Sequence, residues 1–137
     1  MAHWLVKSEP GKYSWDRMVQ DKRTHWDGVH NFQAANNMKA MKEGERAFFY
    51  HSNEGKEIVG VVEIVRAFYP NPDEPSAHFG LVDVAPVKPA RTPVTLVQMK
   101  ATPALRNMAL IRQSRLSVCP VTDAEWATIC KLAGIEA

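Results

Sequence analysis

WDGVHNFQAANNMKAMKEGERAFFYHSN, residues 26–53, is the stretch on which the fold of this 137-residue chain turns. Behind Asn31, a residue type suited to an N-cap, Ala34, Met38 and Met41 recur at i, i+4 and i+7. That is the period of a helix burying one face, with Lys39 and Lys42 pointing elsewhere and Gly44 placed to end it. Residues 46–50 then turn to strand chemistry and pass without a break from Phe48, Phe49 and Tyr50 into His51, Ser52 and Asn53. Buried polar groups cost free energy unless they find partners, so a core strand with this ending carries a pocket as well as a fold.

Working outward, residues 3–7 read as a short strand closed by Pro10 and Gly11. Ser14 caps a helix with Trp15, Met18 and Val19 on one face and Tyr13 and Met18 in staple positions. Downstream, a turn at residues 53–55 joins residues 46–50 to a second strand at 57–69, making a β-hairpin. A proline-rich loop spans 70–78, strand returns at 79–87, and 93–107 is a helical excursion broken by Pro103. A last strand at 116–121 leads to a helix with the Thr122/Glu125 capping box, the Val121/Trp126 staple, an apolar face of Trp126, Ile129, Cys130 and Ala133, and Gly134 as stop. Strands that do not alternate strictly with helices give an α+β domain with a curved or barrel-like mixed sheet.

Composition sets the class. With 45% hydrophobic and 23% charged residues and no internal repeat, the whole chain, 1–137, fits one globular domain. A net charge of +2 and a pI near 8.6 are too mild for a protein that clamps long duplexes by phosphate neutralisation alone, so a nucleic-acid role needs a local patch. Cys119 and Cys130 lack paired spacing and read as buried free thiols. No apolar run reaches membrane-spanning length, so no membrane partner is expected, and a soluble, cytoplasmic monomer is.

The chemistry-bearing residues narrow the function further. His3, His25, His30, His51 and His78 form no pair at ligand spacing, so no metal or other cofactor is expected. A triad could draw on Ser8 or Ser52, His51 and Asp27, but no nucleophile elbow presents a serine, and neighbours on a strand point to opposite faces. The scattered glycines cradle no phosphate. What remains suits a planar, polar ligand: Trp26, Asn31, Tyr50, Ser52, Asn53 and Ser8 offer ring faces and amide or hydroxyl edges of the kind that hold a base. Trp4, Trp15, Trp126, Phe48 and Phe49 have the periodicity of core, while Trp26 suits core and pocket equally. Lys7, Lys22, Arg23, Lys39, Lys42, Arg106, Arg112 and Arg115 could track a stretch of sugar-phosphate if they share a groove.

WLVKSEP (4–10), WDGVHNFQA (26–34), AMKEGERAFFYHSN (40–53), GVVEIVRAFYPNP (60–72), LVDVAPV (81–87) and RQSRLSVCPV (112–121) closely resemble the EVE domain family, in order and over almost the whole chain. The resemblance implies the PUA-like fold, a small mixed β-barrel flanked by short helices, related to the YTH domains that cage a methylated adenine of RNA. It implies a non-catalytic reader whose partner is nucleic acid: a modified base, chiefly a modified cytosine of DNA, or else a modified or structured RNA. Motif by motif, the pocket would start at Lys7, Ser8 and Glu9, with Trp26 as cage aromatic and Asn31 at the helix start. Tyr50, His51, Ser52 and Asn53 at the strand end and Arg115 and Ser117 would complete it, with Lys39, Lys42 and Arg112 on the backbone. The chain departs from the family in a short loop at 71–78, which leaves a second aromatic wall to Phe68, Tyr69 or Phe79. A second departure is His30, where a basic residue is usual.

Overall fold

The computed structural model describes residues 2–26, 31–76 and 78–136. Strand β1 (His3–Ser8) runs into helix α1 (Trp15–Asp21), where Ser14 accepts the Arg17 N–H as its N-cap. An edge strand β2 (Thr24–Trp26) follows, three residues long and without a sequence signal of its own. Helix α2 (Phe32–Ala40) starts on the Asn31 cap and ends earlier than the glycine signal suggested. Its stop is Met41, which turns to extended backbone with its side chain buried, and Gly44, at φ 89°, serves the turn that follows. On α1, Trp15 and Met18 are buried but Val19 is about half exposed, so the inward face is narrower than expected.

Strands β3 (Arg46–His51) and β4 (Glu57–Pro70) make the expected hairpin. Their turn holds Asn53 and Lys56 at positive φ beside Gly55. Strand β5 (Gly80–Thr95) outruns the expected 79–87 and continues through Pro86, Pro89 and Pro93. It can do so because β2 pairs with it only as far as Val84, beyond which one edge needs no N–H donors, and the β4 pairing is bulged there. The helical excursion resolves into α3 (Leu96–Lys100), a 3₁₀ turn at Pro103–Leu105 and α4 (Ala109–Arg112). Strand β6 (Val118–Val121) starts two residues later than expected, and α5 (Asp123–Ala133) has the capping box and the left-handed Gly134.

The sheet order is β2-β5-β4-β3-β1-β6, mixed because β1 runs parallel to β3. The α+β class with flanking helices is as expected, but among the described residues β2 and β6 remain separate edges and the barrel does not close. Phe48, Phe49, Leu5, Ile58 and Ile64 fill the centre at full burial. Trp15 lies flat on β4 at Gly60, where a Cβ would come within 2.5 Å of its ring. No described helix is long and apolar enough to cross a membrane.

Candidate functional site

Parallel pairing of β1 with β3 sets Lys7 beside Tyr50 and Ser8 beside His51, so both strands end side by side. The Ser52 N–H closes onto the Ser8 carbonyl at 2.9 Å, and the Lys7 N–H onto Ser117 at 3.0 Å. Between these ends, β2 and the hairpin turn lies a cavity of about 880 Å³. That size is within the roughly 300–1,000 Å³ usual for small-molecule sites.

Of the residues singled out from sequence, Lys7, Ser8, Glu9, Trp26, Tyr50, Ser52, Asn53, Arg115 and Ser117 line this cavity. Asn31 and His51 do not, because both side chains are committed to helix starts. Asn31 Oδ1 accepts the Ala34 N–H at 2.9 Å, and His51 Nε2 accepts the Trp15 N–H at 3.0 Å. Burial lowers the His51 pKa against the opposing pull of Glu57 and Asp16, consistent with a neutral ring that accepts. Lys39, Lys42 and Arg112 also lie outside the lining. Lys39 sits 5.5 Å over the Phe68 ring, the Lys42 N–H binds Glu45, and Arg112 donates to Asn107. None of Phe68, Tyr69 and Phe79 lines the cavity. Tyr69 instead donates to Asp83, which also receives Arg23 at 2.9 Å. Asp83 pairs in register with His25, so this network ties down the strand that carries Trp26.

Within the cavity the polar groups are unevenly satisfied. Ser8 Oγ donates to the Tyr13 carbonyl at 2.6 Å, and Glu9 accepts from Asn53 Nδ2 at 2.8 Å with Lys12 3.4 Å away. Lys7 Nζ donates to the Ser114 carbonyl at 2.8 Å, and burial lowers its pKa. Tyr50 is 3% exposed and Trp26 8%, yet neither the hydroxyl nor the indole N–H has a hydrogen-bond partner among the described residues. Among the described residues no fully enclosed side-chain polar atom lacks a partner, so these two groups open onto accessible space, which here is the cavity. Burial raises the Tyr50 pKa, keeping the phenol a neutral donor. Trp26 packs edge-on to Phe49 with ring centroids 5.7 Å apart. Among the described residues of the walls, Lys7, Lys12, Lys56 and Arg115 stand against the carboxylate of Glu9.

Sequence reasoning missed Lys12, Tyr13, Thr24, His25, Lys56, Leu96, Leu110 and Ser114. Lys12, Tyr13 and Lys56 sit in turns next to recognised motifs, and Ser114 adjoins Arg115, so chain proximity could have found them. Leu96 and Leu110 arrive from α3 and α4 with no local mark. No group of His, Cys, Asp and Glu among the described residues is arranged to hold a metal ion.

The EVE domain profile matches residues 2–132. Among solved structures, a Rhodopseudomonas palustris protein determined by NMR superposes with a TM-score of 0.93 at 53% identity, over 98% of this chain and 94% of that one. Human thymocyte nuclear protein 1 is 37% identical over 96% of this chain and 73% of its own length. The human THYN1 protein crystallised in complex with DNA containing 5-methylcytosine superposes at a TM-score of 0.89 and 35% identity, covering 100% of each chain.

Proposed function

We propose, from the premise that this chain belongs to the EVE domain family, that it is a non-catalytic reader holding one modified base of a nucleic acid. The base we assign is a modified cytosine of DNA. The observation that carries the reading is the cavity itself, where a buried phenol and a buried indole have no partners among the described residues, under a cationic rim. A planar ligand with donors and acceptors on its edge would satisfy them, while the rim meets its phosphate. The THYN1 complex with 5-methylcytosine DNA supports the choice of DNA and of cytosine.

In this reading the base leaves its stack and is held against Trp26, with the Tyr50 hydroxyl, Ser52 and the Glu9–Asn53 pair at its polar edge. Glu9 fixes the Asn53 amide by accepting from Nδ2, which leaves Asn53 Oδ1 as an acceptor for an exocyclic amine. Lys7, Lys56 and Arg115 take the phosphate. His51 has no part as a base, because its Nε2 lone pair is already used by Trp15.

Fluorescence anisotropy tests this with one DNA sequence carrying either cytosine or 5-methylcytosine, and with RNA of the same sequence and modification. Tighter binding of the modified DNA is expected, with Trp26→Leu losing about 1–3 kcal/mol of stacking. Equal affinity for modified and unmodified strands would falsify the reading, and preference for the RNA arm would move the assignment to recognition of the 2′-hydroxyl.

A further inference from the structure

Beyond the cavity, three rings gather where the chain enters β5. Phe32, the first residue of α2, is 61% exposed. Its ring centroid lies 5.3 Å from that of Phe79 at 37° and 5.3 Å from that of His78 at 83°. Phe68 lies close behind, against Gly80, where a Cβ would come 2.6 Å from its ring. Lys39, seven residues and two turns along α2 from Phe32, holds its Nζ 5.5 Å over Phe68. A Phe held this far out of the core in contact with further rings marks an interaction surface. Lys39 supplies a cation at this cluster, and in the loop that leads to it the Glu74 carboxylate accepts the Ser76 N–H at 3.5 Å. Flat rings with an adjacent lysine suit stacked bases and their phosphates.

Register places this cluster near the cavity. Trp26 pairs with Val82, three residues along the chain from Phe79, a span of at most about 10 Å. That span is at most about three stacked nucleotides of one strand. We infer that Phe32, Phe79 and Lys39 form a second nucleic-acid contact, which stacks on bases beside the extruded one and meets their phosphate. The ligand is then a modified base within a strand and not a free nucleotide. This rests on the reading that the cavity holds the modified base, and it adds a device that stabilises the gap the extruded base leaves behind.

The test compares two probes, a short DNA duplex carrying a single 5-methylcytosine and the mononucleotide 5-methyl-dCMP as competitor. Phe32→Ala is expected to weaken the duplex about tenfold while the mononucleotide changes less than about twofold. Phe32→Trp, which keeps a flat ring, retains wild-type affinity, and Lys39→Met lowers the salt slope of duplex binding by about one. Unchanged duplex binding by Phe32→Ala overturns the inference and leaves the surface to a protein partner. Equal weakening of both probes also overturns it, since the effect then acts through the cavity. If Trp26→Leu changes neither probe, the cavity reading fails, and this inference with it.

Discussion

The two ends of the sheet are built from the same residue types and finish differently. At one end Trp126 stacks between His3 at 4.3 Å and Phe48 at 3.9 Å, beside the buried Glu45. Glu45 accepts Trp4 Nε1 at 3.0 Å, the Lys42 N–H at 2.8 Å and the Ala2 N–H at 2.9 Å. Burial alone would raise its pKa, but these hydrogen bonds outweigh it and hold the carboxyl below its usual value. At the other end Trp26 and Tyr50, equally buried and aromatic, keep polar groups without partners among the described residues. Aromatic content therefore does not separate a structural cluster from a binding one. What separates them is whether the chain satisfies its own polar atoms.

The contrast can be broken most forcefully at the satisfied end. Glu45→Leu strands the buried Trp4 indole N–H and takes the acceptor from two part-buried backbone N–H groups, so chemical denaturation is expected to show a loss of about 3 kcal/mol, with ligand affinity of the folded protein unaltered. Tyr50→Phe should do the reverse, leaving stability within about 0.5 kcal/mol while binding weakens by about 1 kcal/mol in calorimetry. A clear stability loss there would mean that the hydroxyl has a structural partner after all. Arg115→Met is smaller again: a few-fold weaker binding, a salt slope reduced by about one and an unchanged melting temperature.

The smallest effect concerns protons. His51 has a lowered pKa in the folded protein, so the unfolded chain binds more protons as pH falls below the imidazole's ordinary value of 6.5. Its contribution is complete above that value and is lost on acidification toward the lowered folded pKa. Glu45 and Asp83, whose pKa values are also lowered, lose theirs only near and below the ordinary carboxylate range. Melting temperature should therefore drop between pH 7.5 and 5.5, and His51→Gln, which still offers an acceptor to Trp15, should flatten that drop. A separate check on the core is Cys119, whose thiol is pushed up to about 11 by burial and donates to the Leu116 carbonyl. Alkylation of the native protein should leave it unmodified while the unfolded chain reacts readily.

Elements whose signals are local were legible. Ser14, Asn31 and Thr122 cap helices because each side chain meets an N–H three residues away, and the β3–β4 hairpin follows from one turn between two apolar runs. Strand β2 was not legible, since three residues pair only because β5 offers an edge. Nor was the length of β5, because proline is excluded from a strand only where a neighbour needs its N–H. In the cavity, residues within recognised motifs could be named, but Asn31 and His51 have the right chemistry and are spent elsewhere.

By itself the amino-acid sequence determined the caps, the apolar faces and the family resemblance that puts Lys7, Trp26 and Arg115 in one site, since these depend on neighbours in the chain. Only the tertiary structure decided which polar groups stay unsatisfied. Lys7 and Tyr50 meet through a parallel pairing of distant strands, and Leu110 and Lys56 reach the same cavity from separate elements. Whether a buried hydroxyl finds a partner depends on everything that packs around it, and no local pattern encodes that.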